Sequence, residues 1–289
     1  MRRFALVAAS TLAMACASHT TPSNPTPSNP AAPPPPAPPP PPATQTVRLG
    51  PSALRYVMHQ VIHIEQELPT GPQVLDYGLR VFFAVTISGP ADSSGYPTTI
   101  TIDSVAPDSG TTIPMGVNLS VAKGLSFRGR LSPRGDFRDP VPSDSAAALA
   151  VSPIVGSFRN FFPRLPAGGA TLGATWSDTT TDQQAAVGTI TVTSVNRSRA
   201  AVWEDRNATR ALRVEVTSDF TIHGRGQQMG QSFEVNGSGA RSGADYVAID
   251  GRFLGGESRD STNMTIVLPM QSMTIPRKQA SRTTVTVLP

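Results

Sequence analysis

The stretch Leu75-Asp76-Tyr77-Gly78-Leu79-Arg80-Val81-Phe82-Phe83-Ala84-Val85-Thr86-Ile87 decides the fold. Leu75, Tyr77, Leu79, Val81, Phe83, Val85 and Ile87 alternate with Asp76, Gly78, Arg80, Phe82, Ala84 and Thr86. Successive side chains of a strand point to opposite faces, so a period of about 2 predicts a strand with one face on a core and one in water. The same period returns in Leu212, Val214, Val216, Phe220 and Ile222, set against Arg213, Glu215, Thr217, Asp219 and Thr221. Shorter versions occur at Ile100/Ile102, Ile190/Val192, Met264/Ile266/Leu268 and Val285/Val287. Segments rich in Gly, Ser, Asn and Asp, such as Pro107–Gly110 and Asn236–Gly239, read as the turns between strands. One-sided strands at short spacing favour an antiparallel meander over a parallel sheet covered by helices.

Residues 52–68 carry two patterns. Leu54, Val57, Met58, Val61 and Leu68 suit a helix capped by Ser52, whereas Tyr56, Met58, Ile62, Ile64 and Leu68 suit a strand. The strand is expected, because β-branched residues are frequent and Pro69-Thr70-Gly71-Pro72 would turn it into the next strand. One helical island interrupts the β pattern. Ser143 can cap an alanine-rich turn running through Ala150, and Ser152-Pro153 offers a cap followed by proline at the first helical position. Ile154, Val155, Phe158, Phe161 and Phe162 follow at helical spacing, and Pro163 stops the run. The fold class is therefore mainly β: a curved antiparallel sheet, as an open or half barrel or a sandwich, with one main helix packed on it.

Upstream of residue 44 the chain reads as an address and a spacer. Arg2 and Arg3 give a positive start, and Phe4–Met14 is an apolar run far too short to span a bilayer. It ends at Cys16, the only cysteine. Leu12-Ala13-Met14-Ala15-Cys16 resembles the lipobox of bacterial lipoproteins, which implies a signal peptide over residues 1–15 and a lipid anchor on Cys16. Ala17 follows where aspartate would favour inner-membrane retention, so the resemblance implies the outer membrane. Residues 16–43 form the lipidated cysteine and a proline-rich tether. Within it the pentapeptide Thr21–Pro25 repeats as Thr26–Pro30, and proline runs extend from Pro33 to Pro42. Such a chain favours extended polyproline II, so about 22 residues reach roughly 70 Å at most. Residues 44–289 are then one β-rich globular domain, stabilised by its core rather than by disulfides.

Composition excludes more than it assigns. Losing Arg2 and Arg3 with the leader lowers the formal charge of +4 by two. The remaining bases are scattered arginines with only Lys123 and Lys278, and aromatics are few, so no nucleic-acid surface is expected. His59 and His63 on a strand share a face but lie about 13 Å apart, too far for one ion, so no metal and no cofactor are expected. Ser120-Val121-Ala122-Lys123 matches the Ser-x-x-Lys element of penicillin-binding proteins, whose Ser-Asp-Asn and Lys-Thr-Gly partners are lacking. Arg134-Gly135-Asp136 matches an integrin-binding tripeptide, and glycine between polar residues is also ordinary turn chemistry. No catalytic residue is assigned, and an enzyme is not expected.

Phe161-Phe162-Pro163-Arg164-Leu165-Pro166, followed by Gly173-Ala174-Thr175-Trp176, is similar to a helix-exit and strand-entry pattern of uncharacterised β-rich bacterial lipoproteins. The architecture as a whole resembles Lol-type lipid-binding half barrels. That likeness implies a groove between sheet and helix, with Phe158, Phe161, Phe162 and Trp176 as its apolar lining. Two roles follow as expectations. One is a non-catalytic interaction or structural module that meets other envelope proteins. The other is a carrier of a lipid or another apolar ligand in the groove.

Overall fold

Leu75–Ile87 lies in the second of eleven strands. The computed structural model describes residues 45–111, 118–155, 158–184, 188–228 and 231–289, without the side chains of residues 152–155, 184 and 228. Residues 1–44, where the leader, the Cys16 anchor and the tether are expected, lie outside the described residues. In chain order the strands are β1 (Ser52–Leu68), β2 (Gly71–Ile87), β3 (Tyr96–Pro107), β4 (Ser126–Leu131), β5 (Phe137–Pro142) and β6 (Thr175–Gln184). They continue as β7 (Gly188–Arg206), β8 (Thr209–Gln228), β9 (Gln231–Ala248), β10 (Phe253–Leu268) and β11 (Met273–Val287). One helix, α1 (Ser145–Val155), lies between β5 and β6. Residues 52–68 are strand throughout.

All pairs are antiparallel, in the order β5-β4-β3-β2-β1-β11-β10-β9-β8-β7-β6. One sheet means the sandwich alternative does not apply, and its two edges, β5 and β6, are not hydrogen-bonded to each other, so the barrel stays open. Residues from both ends of the sheet nevertheless meet in one apolar cluster: Val81, Phe83, Ile100 and Leu131 from one side, Ala200, Leu212 and Val214 from the other. The sheet is therefore strongly curled around its inner face.

Bulges and glycines make the curl. Between Ala200 and Val202 the register of β7 shifts against β8, so the inward position passes from even to odd numbers. Trp203 is consequently buried while its neighbour Val202 is exposed. A second shift between Phe253 and Gly256 does the same for β10, turning the Phe253 ring inward. Asn236–Gly239, expected as a turn, is mid-strand in β9. Its glycines serve close approach rather than reversal. A Cβ on Gly239 would lie 2.3 Å from the Phe220 ring on β8, and one on Gly237 would lie 2.7 Å from Met264 on β10.

The core fills the half of the concave face under α1. The helix is capped by Asp144, not by Ser143: the Asp144 side chain accepts from the Ala147 N–H, whereas Ser143 Oγ accepts from the Ser126 N–H at the start of β4. It runs through Ser152-Pro153 rather than restarting there. Phe158–Asn160 then forms a separate 3₁₀ turn, and Phe161 and Phe162 lie beyond it. The aromatic spacing therefore did not mark one helical stripe. It lets an irregular span turn three rings into the sheet, because burying them there outweighs keeping the helix going. Phe161 packs on Tyr56, Phe83, Phe158, Phe162 and Phe253, with ring centroids 4.9 to 6.2 Å apart. Beneath it the Tyr56 hydroxyl donates to the Phe253 carbonyl at 2.7 Å. From residue 45 on, the described residues form one compact unit.

Gly239→Ala tests the close-approach account. An exposed glycine in a strand would gain stability from alanine, by about 0.4–1 kcal/mol through the unfolded state. Here the clash with the Phe220 ring and the Ser261 carbonyl dominates, and urea unfolding should show a loss of about 1–3 kcal/mol. Unchanged or increased stability would reject it.

Candidate functional site

The half of the concave face that the core leaves uncovered belongs to β6–β11 and β1. It forms a groove of about 500 Å³, roofed by residues 158–164. The roof is held across the gap between the two sheet edges. Arg164 Nη1 lies 2.5 Å from Asp136 Oδ1, just before β5, and 3.5 Å from Asp178 Oδ2 on β6. Trp176 on β6 donates its indole N–H to the Arg164 carbonyl at 3.1 Å. The Leu165 N–H donates to the Arg134 carbonyl. Gly135, at φ 92°, comes so close to the Pro163 carbonyl that a Cβ would lie 2.0 Å from it. The Arg134-Gly135-Asp136 tripeptide is thus the turn that docks the roof, with Asp136 tied to Ser132 and Arg164.

The four residues expected to line an apolar groove part company. Phe158 and Phe162 are 4% and 3% exposed and belong to the core, presenting one surface to the groove wall. Phe161 is partly buried and also faces the groove. Trp176 packs against the core and anchors the roof, and is not among the lining residues.

The floor is more polar than the sequence pattern suggests. The register sets Asp178, Asn196, Ser218, Arg241, Asp260 and Ser281 in one row across β6 to β11. Ser218 donates to Asn196 Oδ1 at 2.6 Å and Ser281 to Asp260 Oδ1 at 2.7 Å. Arg241 Nη2 donates to Ser258 Oγ at 3.2 Å. Asp178 Oδ1 is shut off from solvent with no hydrogen-bond partner among the described residues. On one side of this row stand Val214, Val216, Met58 and Val285, and on the other Phe220, Ile222 and Val192. The arrangement can hold a molecule by hydrogen bonds along a belt while apolar walls flank it. The sequence signal for this belt was the break in the β8 alternation at Ser218, a polar residue at an inward position between Val216 and Phe220.

Asp245 sits two inward positions beyond Arg241 on β9, opposite Gly256, whose missing Cβ leaves the slot for its carboxylate. Crowding by protein atoms raises its pKa to about 6, opposed by the nearby positive charge of Arg241. On the convex face, His59 Nε2 lies 2.6 Å from Asp108 Oδ2, and His63 Nδ1 lies 2.7 Å from Asp76 Oδ1. The Asp76 hydrogen bond, with a second from Glu65, raises the His63 pKa. No group of three or more potential ligands gathers for a metal ion among the described residues. Ser120 of the Ser-x-x-Lys element donates to Asn118 Oδ1 at 2.7 Å, as part of the cap of a 3₁₀ turn.

The raised pKa of Asp245 carries a sign for stability. The native state holds its proton more tightly than the unfolded chain, so stability falls as pH rises from about 4 to about 6. The loss from this group is at most about 3 kcal/mol. Asp245→Asn should therefore melt above the wild type at pH 8, with the gap closing below about pH 4. A gap independent of pH would contradict the assignment. In comparisons with known proteins, no family model matches this chain, and no curated protein matches it.

Proposed function

We propose that this chain is a non-catalytic binding module of the bacterial cell envelope, held off the outer membrane by its proline-rich tether and anchored through Cys16. Its groove holds a small amphiphilic molecule. The observation that carries this reading is the uneven filling of the concave face. Aromatic side chains pack the half under α1, while the half under residues 158–164 keeps about 500 Å³ lined by hydroxyls, carboxylates and apolar side chains together. Concave sites with a few convergent polar groups on apolar walls are the usual places for small ligands.

This lining favours an amphiphile over a purely apolar lipid. Phe158 and Phe162, which a lipid chain would need as lining, are consumed by the core. The second role, an interaction module working through its outer surface, draws on that same packing, because a filled half-core gives a rigid platform.

Two measurements test the reading. Residues 40–289, secreted into a bacterial periplasm and purified gently, should give a native mass spectrum heavier than the denatured one by a small-molecule adduct. An apo spectrum, together with no uptake of added amphiphiles, would leave only the interaction role. For the anchor, Cys16→Ser in the full chain should abolish palmitate incorporation and release the protein from the membrane fraction. Unchanged membrane association would reject the lipid anchor.

A further inference from the structure

The groove holds two opposite charges that form no ion pair with each other. Arg241 and Asp245 stand on the same inner face of β9, and neither makes an ion pair with any described residue. Arg241 leans along the strand, its Nη2 reaching Ser258, which pairs with Gly243. The Asp245 carboxylate lies over Gly256, one rung further on. A rung of same-face residues spans about 7 Å. Little side chain fills the space between the charges: Gly243, between them on β9, and Gly256, opposite Asp245, carry none, a Cβ on either would strike neighbouring atoms at 2.4 Å, and Ser258 opposite Gly243 adds only its hydroxymethyl group.

That gap has a definite chemistry. Charge-assisted hydrogen bonds of about 2.8 Å at either end leave room for an ammonium and an acid oxyanion joined by a short spacer. Beside the gap, Met58 and Val285 occupy the same rung as Asp245, and Phe161 and Phe253 line the groove with them. We infer that the groove selects an amphiphilic zwitterion, with its ammonium on Asp245, its acid group on Arg241 and its apolar body against Met58, Val285 and Phe161. This rests on the groove-binding reading and adds the ligand class to it. A carboxylate kept ionised in a crowded slot costs stability, and a bound ammonium would offset that cost. The same head chemistry occurs in apolar α-amino acids and in zwitterionic lipids.

The test uses three probes with matched chains, titrated calorimetrically below their aggregation limits into residues 40–289. They are 2-aminododecanoate, dodecylammonium and dodecanoate. The expected result is that 2-aminododecanoate binds at least tenfold more tightly than either singly charged probe. Arg241→Gln should erase its advantage over dodecylammonium, and Asp245→Asn its advantage over dodecanoate. Equal binding of all three to the wild-type protein would overturn the zwitterion assignment and leave the groove-binding reading standing. Binding of none would overturn both. Leucine and a lysophosphatidylethanolamine, added as competitors, separate the two sources. Displacement by leucine points to an amino acid, displacement by the lysolipid alone points to a lipid headgroup, and displacement by neither overturns the assignment. Because the wild-type comparison stands alone, a variant that fails to fold does not remove the test.

Discussion

An eleven-stranded sheet that does not close must still keep water off its inner face, and the Phe161 ring is the contact on which this depends. It touches rings from β1, β2 and β10 as well as its own neighbours Phe158 and Phe162. Aromatic pairs in edge-to-face geometry gain beyond their buried area, and all five of these contacts have interplanar angles of 75° to 84°. The ring therefore pins residues 158–164 over the neighbouring strands β2, β1 and, across β11, β10. With that span held in place, Arg164 reaches Asp136 beside β5 and Asp178 on β6, the two edges that no backbone ladder connects.

With the curl held this way, the concave face divides into two environments. The half beside Phe83 and Ile100 is packed, and dispersion and exclusion of water stabilise it. The half crossed by the Asp178–Ser281 row is not packed, and its polar groups are satisfied mostly by one another. Buried hydroxyls such as Ser218, Ser258 and Ser281 cost little when paired and take less room than Val or Leu, so they suit the tight inner surface of a curled sheet. Asp178 Oδ1 lacks a hydrogen-bond partner among the described residues, and Arg241 and Asp245 lack an ion-pair partner among them. Unpaired charge in an otherwise self-satisfied surface is a departure from structural economy of the kind expected where a ligand supplies the partner.

The strands were legible wherever the inward residues were apolar, as in Leu75–Ile87 and Leu212–Val216, because alternation reports directly which side faces the core. Residues 52–68 fell to the strand reading for the same reason. Legibility failed on β9, whose inward positions are Gly237, Gly239, Arg241, Gly243 and Asp245. A strand with glycine and charge on its inner face carries no hydrophobic period, and its Asn-Gly dipeptide imitates a turn. The cap at Asp144 and the break after α1 were missed because Ser143 and Ser152-Pro153 fit capping rules that packing overrode. The groove itself was half legible. Its aromatic wall was visible in Phe158–Phe162, but the polar row depends on cross-strand register among six strands, which no local pattern encodes.

The pairing of β1 with β11 has a consequence for how the molecule is made. Tyr56 lies opposite Val287, so the first strand waits for the last before its second edge is covered. As the chain leaves the ribosome or crosses a membrane in its N-to-C direction, β1–β5 can zip as one meander and β6–β11 as another. The seam between them, and with it the groove, comes into being only when the final fifteen-residue strand arrives. Until then β1 presents a long open edge, and a chain truncated anywhere before residue 273 would lack the piece that makes two half-sheets into one.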